Sequence, residues 1–398
     1  MAVLGLAGYS YTRGIRIPPL RWEPKPLATN FASGQVDIEV SELIQSATQV
    51  AEQVDYSFRA YAPEPALRIT ANNKSKLRIS VNNVAQETRL NIVQGRPSSA
   101  IESIDGINRI LELTLDSAEP LTIEWKLPSQ TSYSFAAIGD TGGQSELAWC
   151  IQRAKSLSAQ FLLHLGDFNY QSSDYANSIK LFNSAPLPVY VSIGNHDFHD
   201  SGPIYQQFLE DIGPFNNVFQ IGKTRFANLD TAANHLPYGA GSRGHILQQM
   251  ALQTDAVKHT VVFTHRPLYD PQPNSDHDIG SIGERDWLIG ALKEAKVQSM
   301  LSGHIHIFHR KQFQGIDSII VGQGLGHQDL LVNDIDYSKM AIGRVSKDGS
   351  VEYEFAPLRM PMGLHCHPRT DPVRQSLKGT EQDDLLDSIN RQCKPQVT

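Results

Sequence analysis

Six side chains able to hold a metal stand at the ends of five short apolar runs, with an imidazole among them able to move a proton. Asp140 follows Ala136-Ala137-Ile138-Gly139. Asp167 follows Leu162-Leu163-His164-Leu165-Gly166. Asn195 follows Val191-Ser192-Ile193-Gly194 and leads into His196 and Asp197. His265 closes Val261-Val262-Phe263-Thr264, and His304 and His306 come after Met300-Leu301-Ser302-Gly303. Carboxylates, imidazoles and an amide oxygen are ligands for hard and borderline cations. Taken singly, each residue has a plainer reading as a loop residue with a local hydrogen bond. Taken together they argue for one site, because no core needs such residues at five strand ends. Glycine precedes the polar group at Gly139, Gly166, Gly194 and Gly303, where the lack of a side chain permits sharp exits and close backbone approach.

Particular elements must bring these residues to one edge. From about 131 onward, strand-like runs alternate with helix-like stretches such as 145–159 and 284–297. That alternation predicts an α/β domain with largely buried strands, and ligands of open α/β folds bind beyond the carboxyl ends of the strands. Runs at 317–326, 340–346 and 351–358 read as the last strands of a second sheet. Upstream, 57–128 holds short β-type runs broken by Asn, Gly, Ser and Pro, the pattern of a small antiparallel β-domain with no catalytic residues. Leu43, Ile44, Ala47, Val50, Ala51 and Val54 recur at helical spacing behind Ser41, which predicts a helix over 41–54. The expected organisation is an N-terminal arm with that helix over 1–56, an accessory β-sandwich-like domain over 57–128, the α/β domain over 131–357, and a polar tail over 358–398.

The same motifs resemble the calcineurin-like metallophosphoesterases and, within them, the purple acid phosphatases. The broader family opens its site with Asp-x-His, whereas this chain has Asp140-Thr141-Gly142. The purple subfamily lacks that histidine and carries Gly-Asp-x-x-Tyr, matched by Gly166-Asp167-Phe168-Asn169-Tyr170. Gly194-Asn195-His196-Asp197, the Val-x-x-His of Val262 to His265 (continuing as Arg266-Pro267-Leu268-Tyr269) and Gly303-His304-Ile305-His306 match the remaining motifs in order. The resemblance implies a fold of two mixed sheets flanked by helices in a four-layer sandwich, over about 131–357. It implies a first metal on Asp140, Asp167, Tyr170 and His306, and a second on Asp167, Asn195, His265 and His304, bridged by Asp167. A phenolate suits iron in the first site; the second set suits iron, zinc or manganese. Two such ions would hold a hydroxide for in-line attack on a phosphate ester. His196 would contact the phosphoryl group or protonate the leaving oxygen, and Asp197 would orient His196.

The activity expected is therefore hydrolysis of small-molecule phosphate esters, foremost monoesters. Phosphodiesters or cyclic nucleotides are the alternative on the same ligands. A non-catalytic phosphatase-fold binding protein is the alternative of another class. His327, beside Gly322, Gly324 and Gly326, is a further candidate for substrate contact. His164 reads as a hydrogen-bonded core residue and His277 as a solvated loop residue. His365-Cys366-His367 is a poor candidate for another metal, since adjacent ligands rarely complete a closed site.

Composition sets the outer bounds. The 398 residues are 40% hydrophobic with a formal charge of −7, which argues against general binding to nucleic acid or anionic membranes. No apolar stretch reaches the roughly 20 residues of a membrane span. The start does not read as an export signal. Three cysteines, Cys150, Cys366 and Cys393, are too scattered for a disulfide framework. A cytoplasmic location is the expectation.

Overall fold

A computed structural model describes residues 27–33, 36–46, 55–116, 118–128, 132–197, 204–232, 241–253, 257–272, 277–326 and 338–359. Its N-terminal part is built from strands β1 (Asn30–Ser33), β2 (Val36–Ser41), β3 (Leu43–Gln45), β4 (Tyr56–Ala60), β5 (Ala66–Ala71), β6 (Ser75–Asn82), β7 (Arg89–Gln94), β8 (Ser99–Asp105), β9 (Asn108–Leu115) and β10 (Leu121–Lys126). They form two five-stranded sheets, ordered β1-β2-β5-β10-β7 and β3-β4-β6-β9-β8. Alternate residues of β2, β9 and β10 are buried, the period of strands with one face on a core. Ile38, Phe58, Ile69, Ile79, Leu111 and Trp125 fill that core.

Two expectations for this region need correction. Residues 41–45 are strand rather than helix: Ser41 ends β2, and Glu42 takes a left-handed φ of 60°. Leu43 and Ile44 then enter β3, where both are buried. Tertiary pairing overrides the helical spacing here, and the rest of the expected helix, 47–54, lies outside the described residues. The sandwich thus draws on 30–45 as well as 57–128. It is also not wholly antiparallel, since β4 pairs with β6 in parallel.

Beyond it come β11 (Tyr133–Ile138), α1 (Ser145–Ser156), β12 (Phe161–His164), α2 (Asp174–Asn183), β13 (Val189–Val191), α3 (Ile204–Asp211), β14 (Asn217–Ile221), β15 (Thr224–Asn228), α4 (Gly241–Leu252), β16 (His259–Phe263), α5 (Ile282–Glu294), β17 (Ser299–Ser302), β18 (Phe308–Phe313), β19 (Ile316–Val321), β20 (Lys339–Val345) and β21 (Val351–Pro357). They form two mixed sheets, ordered β13-β12-β11-β20-β21 and β14-β15-β16-β17-β19-β18; of the last three runs expected in a second sheet only β19 lies there, while β20 and β21 pair beside β11 in the first. β11, β12 and β13 run parallel, as do β15, β16, β17 and β19.

The sheets meet through aromatic residues, with the Phe135 and Phe226 rings 5.1 Å apart and those of Phe161 and Phe226 5.6 Å apart. Leu147 and Ile151 of α1 and Phe182 of α2 join that core on the outer side of the first sheet. Leu247 and Met250 of α4 and Leu288 and Leu292 of α5 cover the second sheet. This is the expected arrangement of two mixed sheets flanked by helices, preceded by all-β strands. Buried on both faces, β11, β12, β16 and β17 read as continuous apolar runs.

Candidate metal centre

Five of these strands run parallel to a neighbour and deliver the polar residues from their carboxyl ends: β11 leads to Asp140, β12 to Asp167, β13 to Asn195, β16 to His265 and β17 to His304. The exits are sharp. Asp140, Asp167 and His304 all take left-handed φ values, 61°, 59° and 69°, a conformation that costs a non-glycine residue energy and persists where surroundings enforce it. The enforcement is visible. The Asp140 amide donates to the Gly166 carbonyl at 2.9 Å, Gly142 to Asp167 at 3.1 Å and Gly303 to His265 at 3.0 Å.

Two groups of donors result, sharing one oxygen. The Tyr170 hydroxyl lies 3.4 Å from Asp140 Oδ1, 3.2 Å from Asp167 Oδ2 and 3.3 Å from His306 Nε2. His306 Nε2 is in turn 3.5 Å from Asp140 Oδ1. On the other side, His265 Nε2 lies 3.4 Å from the same Asp167 Oδ2, 2.7 Å from Asn195 Oδ1 and 3.1 Å from His304 Nδ1. The ligand atoms of Asp167, His265 and His304 all lie within 4.8 Å of one another. Four donors set tetrahedrally about 2.1 Å from an ion are about 3.4 Å apart. The donor set therefore fits metal ions in chemistry and in spacing. The structure brings together all seven residues singled out in the sequence as ligands.

Hydrogen bonds aim the donors. His265 Nδ1 is 2.8 Å from the Leu165 carbonyl, which turns Nε2 toward Asp167. Asp140 Oδ2 accepts from the His304 amide at 2.8 Å, and Asp167 Oδ1 from the His196 amide at 2.8 Å. His164 sits where the sequence suggested, in the core, with Nε2 2.8 Å from the Thr141 hydroxyl and Nδ1 accepting from Gly166 at 3.3 Å. It ties the Asp140 turn to the Asp167 turn, and burial pushes its pKa down to about 3, so it stays neutral.

The charges interact strongly. Burial raises the Asp140 pKa. Burial acts the same way on Asp167, but the His265 charge and hydrogen bond outweigh it and hold that carboxyl well below its ordinary range. His265 is pushed up to about 9, because Asp167 overcomes the burial that would lower it. Burial and the Arg266 charge drive His304 far down; Arg266 Nη1 lies 2.9 Å from His304 Nε2.

Other candidates fare differently. His196 lies on the Tyr170 side, its ring 4.7 Å from the Tyr170 ring. Asp197 does not serve as expected. It is fully buried, and its carboxylate accepts the amides of Asp167 at 2.9 Å, Phe168 at 2.9 Å and Gly194 at 2.6 Å. It fastens the backbone behind the bridge, and burial together with the Asp167 charge raises its pKa to about 8. His277 is more than a solvated loop residue: its side chain is 51% exposed, yet its ring centre is 5.5 Å from that of His304. Asp174 escaped the sequence reading. It accepts the amides of Tyr170 at 3.0 Å and Gln171 at 3.1 Å and so holds the Tyr170 loop; its only sequence signal is an acid opening a helix. His327 and His365-Cys366-His367 lie outside the described residues.

Residues 133–308 match the family model of the calcineurin-like phosphoesterases. The chain carries a calcineurin-like phosphoesterase domain. No curated protein matches the sequence. Among solved structures, the chain is similar to the purple acid phosphatase of yellow lupin (Lupinus luteus) seeds, with 14% identity and a TM-score of 0.48 over 74% of this chain and 70% of that one. It is similar to GAP50, the anchor in the inner membrane complex of Plasmodium, with 16% identity and a TM-score of 0.45 over 57% and 85% of the chains. A dimetal phosphatase from Danio rerio matches with 13% identity and a TM-score of 0.38 over 57% and 99%. Among the described residues, no helix is long and apolar enough to cross a membrane.

Proposed function

We propose that the phosphoesterase domain is a dinuclear metal-dependent hydrolase of phosphomonoesters. One metal would be held by Asp140, Asp167, Tyr170 and His306, the other by Asp167, Asn195, His265 and His304. The observation that carries this is the shared oxygen: Asp167 Oδ2 lies 3.2 Å from the Tyr170 hydroxyl and 3.4 Å from His265 Nε2. The phenol oxygen favours iron in the first position, and the amide and imidazoles suit iron, zinc or manganese in the second. When bound, such a pair activates water and neutralises charge on the phosphoryl oxygens.

The chain's own residues supply the rest. Asp197 and the His196 amide hold the Asp167 turn so that Oδ2 faces both donor groups. The His196 ring on the Tyr170 side and the His277 ring on the His304 side flank the centre with groups able to bind phosphoryl oxygens or hand a proton to the leaving alcohol. His277 is held from behind, its amide donating to Asp270 at 3.0 Å, so a half-exposed imidazole keeps a defined place.

The test pairs metal analysis with two substrates, p-nitrophenyl phosphate and bis(p-nitrophenyl) phosphate, on wild type and Asp167→Asn. Wild type is expected to bind about two ions per chain and to cleave the monoester faster; the variant should lose both metal and activity. A preference for the diester moves the substrate class to phosphodiesters. Full metal loading without cleavage of either ester favours a binding role. A wild type that takes up no metal under any loading condition overturns the proposal.

A further inference from the structure

Strand β13 is an edge strand of the first mixed sheet, yet its outer backbone groups do not face solvent. The Val189 amide donates to Asn83 Oδ1 at 2.8 Å, and Asn83 Nδ2 donates back to the Val189 carbonyl at 3.0 Å. One side chain thus makes the donor–acceptor pair that a neighbouring strand would make. Asn83 Nδ2 also reaches the Ala60 carbonyl at 2.8 Å. Arg59 Nη2 adds a bond to the Val189 carbonyl at 3.1 Å, and its Nη1 lies 3.4 Å from both Asn82 Oδ1 and Asn183 Oδ1. Asn82 Nδ2 donates to the Asn183 carbonyl at 3.0 Å.

Arg59, Asn82, Asn83 and Val189 are each no more than 2% exposed. Asn83 holds a left-handed φ of 66°, so its amide is aimed by a backbone conformation that few residues adopt. Buried polar contacts of this kind are directional and costly to break; an apolar interface would hold the two parts together without fixing a register. Six residues after Val189 comes Asn195, and then His196. Between them, Gly194 packs so tightly on Asp167 that a Cβ there would meet the Asp167 amide nitrogen at 2.2 Å.

We propose that Asn83 of the N-terminal sandwich is a positioning residue for the metal centre, acting through Val189 and β13 to set where Asn195 and His196 stand. The sandwich is then part of the catalytic apparatus and not only its support. The inference rests on the reading of Asn195 as a metal ligand, and the experiment separates the two.

The test uses the full chain with Asn83→Gly, which keeps the left-handed backbone and removes the amide. The control is Leu113→Ala, which opens the sandwich core without touching Val189. Asn83→Asp, which keeps the acceptor for the Val189 amide and loses the donor, serves should the glycine variant fail to fold. Amide hydrogen exchange over 189–195 is read on metal-stripped protein, and metal affinity by competition with a chelator. For Asn83→Gly we expect faster exchange over 189–195. The ion on the Asn195–His265 side should bind about tenfold more weakly, and kcat should fall with KM little changed. Leu113→Ala should lower thermal stability while leaving all three readings in place. If Asn83→Gly only lowers thermal stability, as the control does, the inference is wrong. If wild type binds no metal, the metal reading fails, and the exchange over 189–195 still decides whether Asn83 sets this strand.

Discussion

Asp167 carries a demanding geometry. It is buried, left-handed in φ and faces donors on both sides through one oxygen. Such an arrangement is costly for a free carboxylate and natural for one between cations. Asp197 shows why residue type alone misleads. Its position next to His196 suggests that it orients that ring, but its three bonds to backbone amides make it a fastening for the Asp167 turn. His277 makes the opposite point, since its polar loop conceals a place beside His304. A residue that hands a proton to the leaving group without holding metal should separate the two functions. We therefore expect His277→Ala to keep full metal content while kcat/KM for p-nitrophenyl phosphate falls by about 10²-fold. Loss of metal in that variant would make His277 part of the donor set instead.

The elements meet at glycine-lined exits, and the tightest is Gly194. A side chain there would stand 2.2 Å from the Asp167 amide nitrogen and 2.3 Å from Asp167 Oδ1, while one at Gly303 would stand 2.4 Å from Asp140 Oδ2. The strand ends are packed against one another through bare backbone. Gly194→Ala should therefore displace Asp167, lowering metal content and costing about 1–3 kcal/mol of stability. Gly290→Ala on α5, where an added Cβ meets nothing within 4 Å, should keep metal and activity and gain up to about 1 kcal/mol, as helix propensity dictates. Metal analysis and thermal unfolding of both variants check the pair; equal behaviour would mean that the exits tolerate repacking.

At the scale of the whole molecule, the sandwich and the phosphoesterase domain meet through buried polar groups, and a carboxylate near this junction makes stability depend on pH. Burial raises the Glu42 pKa from 4.5 to about 7, against the opposing pull of the hydrogen bond from the Glu64 amide. Between pH 4.5 and 7 the folded chain keeps a proton that the unfolded chain gives up. Stability from this group is thus fully present below pH 4.5 and is lost as pH rises through 7. Glu42→Gln should be more stable than wild type at pH 8, by on the order of 1–3 kcal/mol, with the difference vanishing toward pH 4.5. Urea unfolding at the two pH values reads it. A difference that grows toward low pH would show that Glu42 is stabilised as the anion.

Much of this was legible in the sequence. Buried parallel strands are written as apolar runs, and polar residues at their ends stand out because no core needs them. That pattern named the α/β architecture, the five strands that lead into the site and six of the donors that the fold gathers; Tyr170 came from the resemblance of its motif. It failed where contacts between distant segments decide the outcome. Residues 41–45 carry a helical spacing, but pairing with β4 and β5 makes them strand. The places of Asp197 and His277 depend on what lies behind or across from them, which spacing along one chain does not encode. Sequence by itself determined which residues end the strands and what chemistry they are fit for, because side-chain period and residue type are local. Only the tertiary structure decided that Asp167 Oδ2 faces both donor groups and that Asn83 closes the edge of β13, because both arise from segments far apart in the chain packing at hydrogen-bond distance.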